Sequence, residues 1–319
     1  MAHGLNRLLR AAIAHVSVGF ARALSRLPIG FSRRLARALT PIVYRLVPRV
    51  RSVGVANLDL AYGDTLTAEE KRRILYASIE NMLIVALELF QIPKLEGAFL
   101  DRNIPKLEGA FLDRNIRVNN LEHLPRDTGC VVIGAHHGNW EWSATAMARR
   151  GYKACEIVRE FDHPYLDAYI DATRCSTGVV TIPKDKAAKG ILERLADGYI
   201  VGILADQNPR ENAVPVTFFG QPCWATIGPA LAAARARVPV VAVSIARDPD
   251  GGYTVEFSPP IPMVHSERLR DDLLENTQRC QDALEALVRR APEQWLWLHR
   301  RWKKRPNLEE EWKRRMAEG

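Results

Sequence analysis

The spacing of hydrophobic residues differs between two parts of the chain: the first part shows the pattern of helices, and the second part shows strands alternating with helices. Between residues 5 and 46, apolar residues recur at helical spacing among arginines, which predicts two amphipathic helices. Pro41 is expected to break or kink the second of them. Thr67, followed three residues later by Glu70, forms a capping-box pattern that predicts a helix from there to about residue 90.

Beyond residue 117, short apolar runs alternate with helical stretches. The expected strands are 130–134, 156–158, 179–182, 199–205, 238–245 and 253–257. The expected helices lie near 140–150, 164–176, 185–197, 226–236 and 267–290. This alternation predicts an α/β fold with a mixed, mostly parallel sheet covered by helices.

The pattern also predicts how the chain is organised. We expect an amphipathic, arginine-rich helical segment over residues 1–52, one α/β domain over 53–306 and a charged tail over 307–319. A perfect tandem repeat of IPKLEGAFLDRN occupies 92–103 and 104–115 within that domain. Two copies of twelve residues are too few for a solenoid, so one copy is expected to loop out or extend a helix, without chemistry of its own.

Charge is concentrated at the N-terminus. The chain has 45 basic and 37 acidic residues, a net charge of +8, but residues 1–58 hold ten arginines and no Asp, Glu or Lys. The rest is near neutral, which excludes a general nucleic-acid-binding surface and favours one local contact with an anionic membrane surface. Packing on the domain and an organellar transit peptide are the alternatives for this segment. The 11-residue apolar run between Arg10 and Arg22 is too short to span a bilayer.

Five cysteines are scattered along the chain without a CxxC pair. An odd, dispersed set argues against a disulfide framework and against a zinc ribbon. We expect the thiols to be reduced and mostly buried.

The most informative stretch is 131–141, VVIGAHHGNWE, in which polar residues follow a buried strand. His136 and Glu141 would lie about 140° apart on a continuous helix, so they can meet only if His136 precedes the helix. Gly138 and Asn139 suit the turn and the cap that this needs. A carboxylate on one imidazole nitrogen would leave the other free to accept a proton. A structural histidine, or a metal held by His137 and Glu141, is the alternative.

Tryptophans and cations alternate near the C-terminus. Trp295, Trp297 and Trp302 are interleaved with Arg300, Arg301 and Lys303–Arg305. This pattern suits a bilayer interface, a contact with an acidic carrier protein, or an ordinary helix with buried tryptophans. It also suits single-stranded nucleic acid, which the near-neutral body disfavours.

Four ordered blocks resemble those of one family. HHGNWE at 136–141 is similar to the HFGNWE pattern of the bacterial lipid A biosynthesis (lauroyl/myristoyl) acyltransferases, which belong to the HxxxxD/E glycerolipid acyltransferase superfamily. His137 replaces the usual aromatic residue. NLDLAY at 57–62, ADQ at 205–207 with FFG at 218–220, and HRRWKKRP at 299–306 resemble further blocks, so the likeness spans about residues 50–306.

The resemblance implies transfer of an acyl chain from an acyl-thioester, on acyl carrier protein or CoA, to a hydroxyl of a membrane lipid. A lipid A precursor at the cytoplasmic face of the inner membrane is the expected acceptor; a lysophospholipid or another glycolipid is the alternative. Two hypotheses of a different class are a catalytically idle membrane-binding relative and a metal hydrolase. No metal and no cofactor beyond the thioester is expected.

The resemblance also implies roles for individual residues. His136 would be the general base and Glu141 its orienting partner. Backbone N–H groups near Gly138 and Asn139 are candidates for an oxyanion hole. The remaining expected substrate-binding residues are Arg159, Arg174, Asp206, Gln207, Phe219 and Gly220.

Overall fold

A computed structural model describes residues 13, 15–23, 25–26, 28–91, 115–161 and 163–317. Apart from Asn115, the duplicated segment lies outside the described residues, so the expectation about its two copies stays a prediction.

Nine helices lie wholly within the described residues, and residues 15–23 are helical as well. Their bounds are α1 Ile29–Leu46, α2 Pro48–Tyr62, α3 Ala68–Leu89, α4 Glu141–Ala148, α5 Pro164–Cys175, α6 Ala187–Ala196, α7 Gly228–Ala236, α8 Leu269–Arg290 and α9 Pro306–Ala317. The capping box at the start of α3 is confirmed: the Thr67 N–H donates to Glu70 Oε2 at 2.8 Å, and the Glu70 N–H donates to Thr67 Oγ1 at 3.3 Å.

Nine strands form one large sheet and one hairpin in the described part of the chain. They are β1 Ile116–Asn119, β2 Cys130–Gly134, β3 Ala154–Val158, β4 Val180–Pro183, β5 Ile200–Leu204, β6 Ala213–Phe218, β7 Gln221–Thr226, β8 Val240–Arg247 and β9 Tyr253–Phe257. The seven-stranded sheet has the order β1-β9-β8-β2-β5-β3-β4, and only the β8–β9 pair is antiparallel. The mixed, mostly parallel sheet covered by helices is therefore confirmed.

Three strands lie outside the sequence-based prediction. Strand β1 is a four-residue edge strand with polar residues at alternate positions, so it carries little hydrophobic signal. Strands β6 and β7 form a separate antiparallel hairpin. Its turn at Phe219-Gly220, with φ of 53° and 68°, fits the left-handed two-residue turns that join such strands.

Strand β2 lies in the middle of the sheet and is buried on both faces. Val131 and Ile133 pack in one hydrophobic cluster, and Cys130 and Val132 pack in another on the opposite face. Successive side chains of a strand point to opposite faces, so the all-apolar run follows from burial on both sides. The residues that follow β2 are therefore placed by the buried centre of the sheet.

Helix α1 packs on α3 through a narrow face of small residues, with Ser32, Ala36 and Thr40 buried. The predicted break at Pro41 is wrong, because α1 continues through this residue to Leu46. A proline inside a helix removes one backbone hydrogen bond, and the packing of α1 against α3 offsets that loss.

The opposite side of α1 is exposed. Phe31 is 45% exposed, Ile42 50% and Leu46 74%, and Arg34 and Arg45 are exposed beside them. The segment thus packs on the domain with one face and presents apolar residues and arginines with another. Within the described ranges, no helix is both long and apolar enough to cross a membrane.

Two sequence-based expectations concern buried side chains. Cys130, Cys155, Cys223 and Cys280 are buried and Cys175 is exposed, which confirms that most of the thiols are buried; their reduced state stays a prediction. Trp295 and Trp297 are also buried, so the bilayer-interface interpretation is wrong for both. Their rings meet edge to face at 4.6 Å, and each indole N–H donates a hydrogen bond inside the domain.

Candidate active site

The register of two neighbouring strands brings His136 and Asp206 together. Strands β2 and β5 are parallel, and the last residues of the two strands, Gly134 and Leu204, are paired. His136 and Asp206 each lie two residues beyond these ends. The two side chains therefore meet at the carboxyl edge of the sheet, where open α/β folds place their sites.

Asp206 holds His136 at two points. Its Oδ1 lies 2.7 Å from His136 Nδ1, and its Oδ2 accepts the His136 backbone N–H at 2.8 Å. Trp295 Nε1 donates to the same Oδ2 at 2.8 Å. Since a carboxylate accepts, Nδ1 carries the proton of the neutral ring, and the lone pair of the imidazole is on Nε2.

Burial and charge oppose each other at this pair. Burial lowers the pKa of His136, but the Asp206 charge and hydrogen bond, with a contribution from the Glu141 charge, raise the pKa above its ordinary value. Burial raises the pKa of Asp206, but the interactions with His136 and Trp295 outweigh it and bring that pKa to about 2. Asp206 is therefore ionised at neutral pH and stabilises a protonated His136.

The second ring nitrogen of His136 faces an amide. Gln207 Nε2 lies 3.2 Å from His136 Nε2, and the Trp140 ring packs edge to face on the imidazole at 5.0 Å. The His136 side chain keeps 18% of its surface exposed. The arrangement can thus accept a proton at Nε2 from a group that enters from the open side.

The expectation that Glu141 orients His136 is corrected by the structure. Glu141 is the first residue of α4, and its carboxylate accepts both Arg174 Nε at 3.0 Å and Arg174 Nη2 at 2.9 Å. Trp140 Nε1 donates to it at 3.1 Å. The hydrogen-bonded carboxylate is Asp206, because β5 is adjacent to β2 while the first turn of α4 directs Glu141 toward α5. Glu141 acts on His136 through its charge.

Arg174 lies between two carboxylates. Besides Glu141, it approaches Glu156 Oε1 at 3.4 Å, and the three side chains are largely buried. Burial and the Glu141 charge raise the pKa of Glu156, and Arg174 opposes this only in part. The guanidinium is thus engaged within the protein, and its predicted contact with lipid phosphate stays a prediction. Arg159, one residue beyond β3, is exposed, and its role also stays a prediction.

Gly138 and Asn139 form the turn that the sequence predicts, but they serve it differently. Gly138 has φ of 59°, and a Cβ there would lie 1.5 Å from the Ile245 carbonyl oxygen. Its N–H donates to the Gln294 carbonyl at 3.1 Å, so the expectation of an oxyanion donor is wrong for this group. The Asn139 side-chain amide donates to Glu88 Oε2 at 2.8 Å, and Asn139 is buried.

Phe219 and Gly220 form the β6–β7 turn. The Phe219 ring is buried against Tyr62 and Trp297, with ring centroids at 5.4 and 5.8 Å. It lies 6.5 Å from Trp295, which in turn bonds Asp206. Gly220 is exposed, and a contact with substrate stays a prediction for both residues.

His137 is a buried structural residue. Its Nε2 lies 2.9 Å from the Ala291 carbonyl, and burial lowers its pKa to about 4. No group of three metal-ligating side chains occurs among the residues that the structure describes. The metal-binding alternative for His137 and Glu141 therefore has no support in the described geometry.

The polar face of α3 also contributes to the site, and it was not predicted from the sequence. The Asn81 amide donates to the Gly138 carbonyl at 2.9 Å and to the Gln294 carbonyl at 3.0 Å, and the Ser78 hydroxyl donates to the Trp295 carbonyl. Glu88 completes this face and is fully buried. The signal was present, since these residues interrupt an otherwise apolar helical stripe.

The fold and the site together define a class of protein. A partly exposed histidine whose Nδ1 is held by a buried carboxylate, at the carboxyl edge of a mostly parallel sheet, is an arrangement that suits general-base catalysis in an α/β enzyme. The sequence comparison gives the family. Residues 4–304 match the family described as bacterial lipid A biosynthesis acyltransferase, and the chain belongs to this family. It is an acyltransferase that acts on lipid.

Individual relatives agree with the family. The chain is 24% identical over 304 residues to the lipid A biosynthesis lauroyltransferase of Escherichia coli (strain K12), covering 91% of each protein. It is 26% identical over 200 residues to the lipid A biosynthesis acyltransferase of Haemophilus influenzae, covering 60% of this chain and 61% of the relative. Among solved structures, the 1-acyl-sn-glycerophosphate acyltransferase PlsC of Thermotoga maritima matches with a TM-score of 0.33 and 16% identity, over 81% of this chain and 98% of PlsC.

Proposed function

We propose that this protein transfers a fatty acyl chain from an acyl-thioester to a hydroxyl of a lipid A precursor, with His136 as the general base and Asp206 as its partner. Acyl carrier protein is the proposed donor, and acyl-CoA is the alternative. The acceptor is drawn from the names of the two bacterial relatives. The observation that carries the mechanism is the 2.7 Å contact of Asp206 Oδ1 with His136 Nδ1.

The reaction is balanced by one proton that His136 takes and returns. His136 Nε2 removes the proton of the acceptor hydroxyl as its oxygen attacks the thioester carbonyl. The tetrahedral intermediate collapses, the C–S bond breaks and the thiolate leaves. The imidazolium, stabilised by the negative charge of Asp206, then returns the proton to the sulfur, so no covalent enzyme intermediate is required.

Gln207 is the proposed donor to the developing oxyanion. Its Nε2 occupies the hydrogen-bonding position at His136 Nε2 at 3.2 Å. An acceptor hydroxyl that binds this nitrogen displaces the amide. The released N–H groups then lie beside the site of attack, where a donor to the carbonyl oxygen is most effective.

We further propose that the protein works at the cytoplasmic face of the inner membrane, through its N-terminal segment. Support comes from the exposed Phe31, Ile42 and Leu46 of α1, which lie among exposed arginines. Apolar residues that enter the headgroup region and arginines that bind anionic lipids are the two components of interfacial binding. Flotation with anionic vesicles, lost when Phe31 and Leu46 are replaced by serine, tests this.

The test of the activity is acyl transfer by purified protein in detergent. Acyl carrier protein and CoA, each loaded with saturated chains, are the donors, and a lipid A precursor and a lysophospholipid are offered together. The variants are His136→Ala and Asp206→Asn, and the matched controls are the exposed residues His265 and Asp64, as His265→Ala and Asp64→Asn.

The expected result is a product on the lipid A precursor that both site variants lose and both controls keep. Product on the lysophospholipid alone would keep the mechanism and overturn the proposed acceptor. Acyl transfer that persists in His136→Ala would overturn the role of His136 as the base. An absence of product with every acceptor would favour a catalytically idle membrane-binding relative.

A further inference from the structure

Glu88 is a fully buried carboxylate that receives hydrogen bonds from four separate elements. Arg33 Nε of α1 donates to Oε1 at 2.7 Å. Asn139 Nδ2, Trp142 Nε1 of α4 and the Tyr253 hydroxyl of β9 donate to Oε2 at 2.8, 3.2 and 2.5 Å. A buried charge is unfavourable unless it is paired and hydrogen-bonded, and these donors meet that requirement.

Two of these donors belong to the segment that follows His136. Asn139 lies in the turn, and Trp142 lies in the first turn of α4, where its N–H donates to the Asn139 carbonyl at 3.1 Å. Glu88 thus binds the turn at Asn139 and the start of α4 at Trp142. Asn139 is only three positions beyond His136 in the chain, so a shift of this turn moves the imidazole relative to Asp206.

The third donor connects the turn to the N-terminal helix. Arg33 is 14% exposed at its side chain, and besides Glu88 it binds the Gly251 carbonyl through Nη1 at 2.7 Å. It lies on the same helix as the exposed Phe31. Helix α1 is therefore joined to the catalytic turn through one ion pair and one shared carboxylate.

We propose that Glu88 is a positioning residue, which couples the seating of α1 on the domain to the position of the turn that follows His136. This inference rests on the proposed function, because the turn matters through the histidine. An apolar residue could fill the same space, but it could not hold Asn139, Trp142 and Arg33 in one geometry. Positional errors of about 1 Å in an active site can cost about 100-fold in rate.

The direct test is Glu88→Gln, which keeps the shape of the side chain and removes its charge. We expect kcat for acyl transfer to fall about tenfold or more, with KM changed less than about twofold, because the turn and not the substrate contact is altered. Arg33→Met is expected to lower kcat as well. The double variant Arg33→Met/Glu88→Gln is expected to lose less of its kcat than Arg33→Met alone, because the double variant leaves no unpaired charge buried at position 88.

The chain offers a matched control in the same pair of helices. Arg37 of α1 and Glu80 of α3 form an exposed ion pair, with Arg37 Nε 3.4 Å from Glu80 Oε1. Neither residue contacts the catalytic turn in the described contacts. Glu80→Gln and Arg37→Met are therefore expected to leave kcat unchanged.

A second control separates position from stability. Ile191 of α6 is buried in the hydrophobic core, and α6 packs on β4, β5 and α7, so Ile191→Ala destabilises the fold and leaves the contact of α1 with α3 in place. We expect Ile191→Ala to lower the Tm and to keep most of kcat well below the Tm. If Ile191→Ala and Glu88→Gln lose kcat in proportion to their loss of Tm, Glu88 has only a structural role and the proposal is wrong.

Hydrogen–deuterium exchange tests the proposal without reference to activity. Glu88→Gln is expected to speed exchange of the backbone amides of residues 138–145, and Glu80→Gln is expected to leave them unchanged. Unchanged exchange in Glu88→Gln would overturn the coupling. Loss of the proposed function is a different outcome, because it would show as an absence of His136-dependent acyl transfer in the wild-type protein.

Discussion

Asp206 forms hydrogen bonds with both the ring and the backbone of His136, with Oδ1 2.7 Å from Nδ1 and Oδ2 2.8 Å from the backbone nitrogen. One carboxylate thus fixes both the orientation of the imidazole and the position of its main chain. Parallel pairing of β2 with β5 sets this geometry, since both residues lie two positions beyond the paired strand ends. His136, the proposed base, is therefore positioned by the core of the sheet.

Gly138→Ala is expected to be severely destabilising. Alanine adds strain at φ of 59°, and its Cβ would overlap the Ile245 carbonyl oxygen, so the turn and β8 would have to separate. Gly151→Ala is the matched control, because Gly151 also has positive φ, at 81°, but its Cβ would meet nothing within 4 Å. Thermal unfolding should show a loss of about 1–2 kcal/mol for the control and a clearly larger loss for Gly138→Ala. Equal losses would contradict the close approach to β8.

His137 should make the fold sensitive to mild acid. Its pKa in the folded protein is lowered to about 4 by burial, whereas in the unfolded chain it has the ordinary value near 6.5. As the pH falls from about 6.5 to about 4, the unfolded chain binds a proton that the folded protein does not, so stability decreases, by about 3 kcal/mol at most.

His137→Phe removes that contribution and is expected to flatten the pH dependence of the free energy of unfolding in this window. Urea unfolding of both proteins between pH 4 and 7 measures it. Parallel curves for the two proteins would show that His137 does not titrate differently on folding.

Arg305 should support the loop that carries Asp206. Its Nε donates to Asn208 Oδ1 at 2.7 Å and its Nη2 to the Asn208 carbonyl at 3.1 Å. Lysine cannot make both bonds, so Arg305→Lys is expected to lower kcat several-fold. This corresponds to an increase of about 1 kcal/mol in the activation free energy. The neighbouring exposed Lys304 provides the control, as Lys304→Met, and should leave kcat unchanged. Similar losses for both variants would point to a general effect of charge.

The sequence revealed the fold class because its signals are local. The buried run of β2, the capping box at Thr67 and the alternation of strands and helices each depend on neighbouring residues, and the structure confirms them. Strands β6 and β7 were missed although Val214, Val216 and Phe218 are buried at alternate positions, because Pro215 and Pro222 interrupt the strand pattern.

The sequence predicted both His136 and Asp206 as site residues, but it gave Asp206 a substrate-binding role and not that of the partner of His136. His136 and Glu141 are close in sequence, and a motif links them, so Glu141 was the expected partner. The partner that the structure shows, Asp206, is 70 residues away, and only the order of strands β2 and β5 in the sheet places it. Glu88 was missed for a related reason, because its four hydrogen-bond donors come from distant parts of the chain.

The central claim is that Asp206, rather than Glu141, holds His136 as the base. The most direct test is the pH profile of kcat/KM for acyl transfer by the wild-type protein, Asp206→Asn and Glu141→Gln. Because His136 must be neutral to accept a proton, the rate should rise with pH through the raised pKa of His136, above the ordinary 6.5. Asp206→Asn should move this inflection to lower pH and reduce the plateau by about 10²-fold or more. Glu141→Gln should move it less and retain more activity. An inflection that shifts with Glu141→Gln and stays in place with Asp206→Asn would contradict the account.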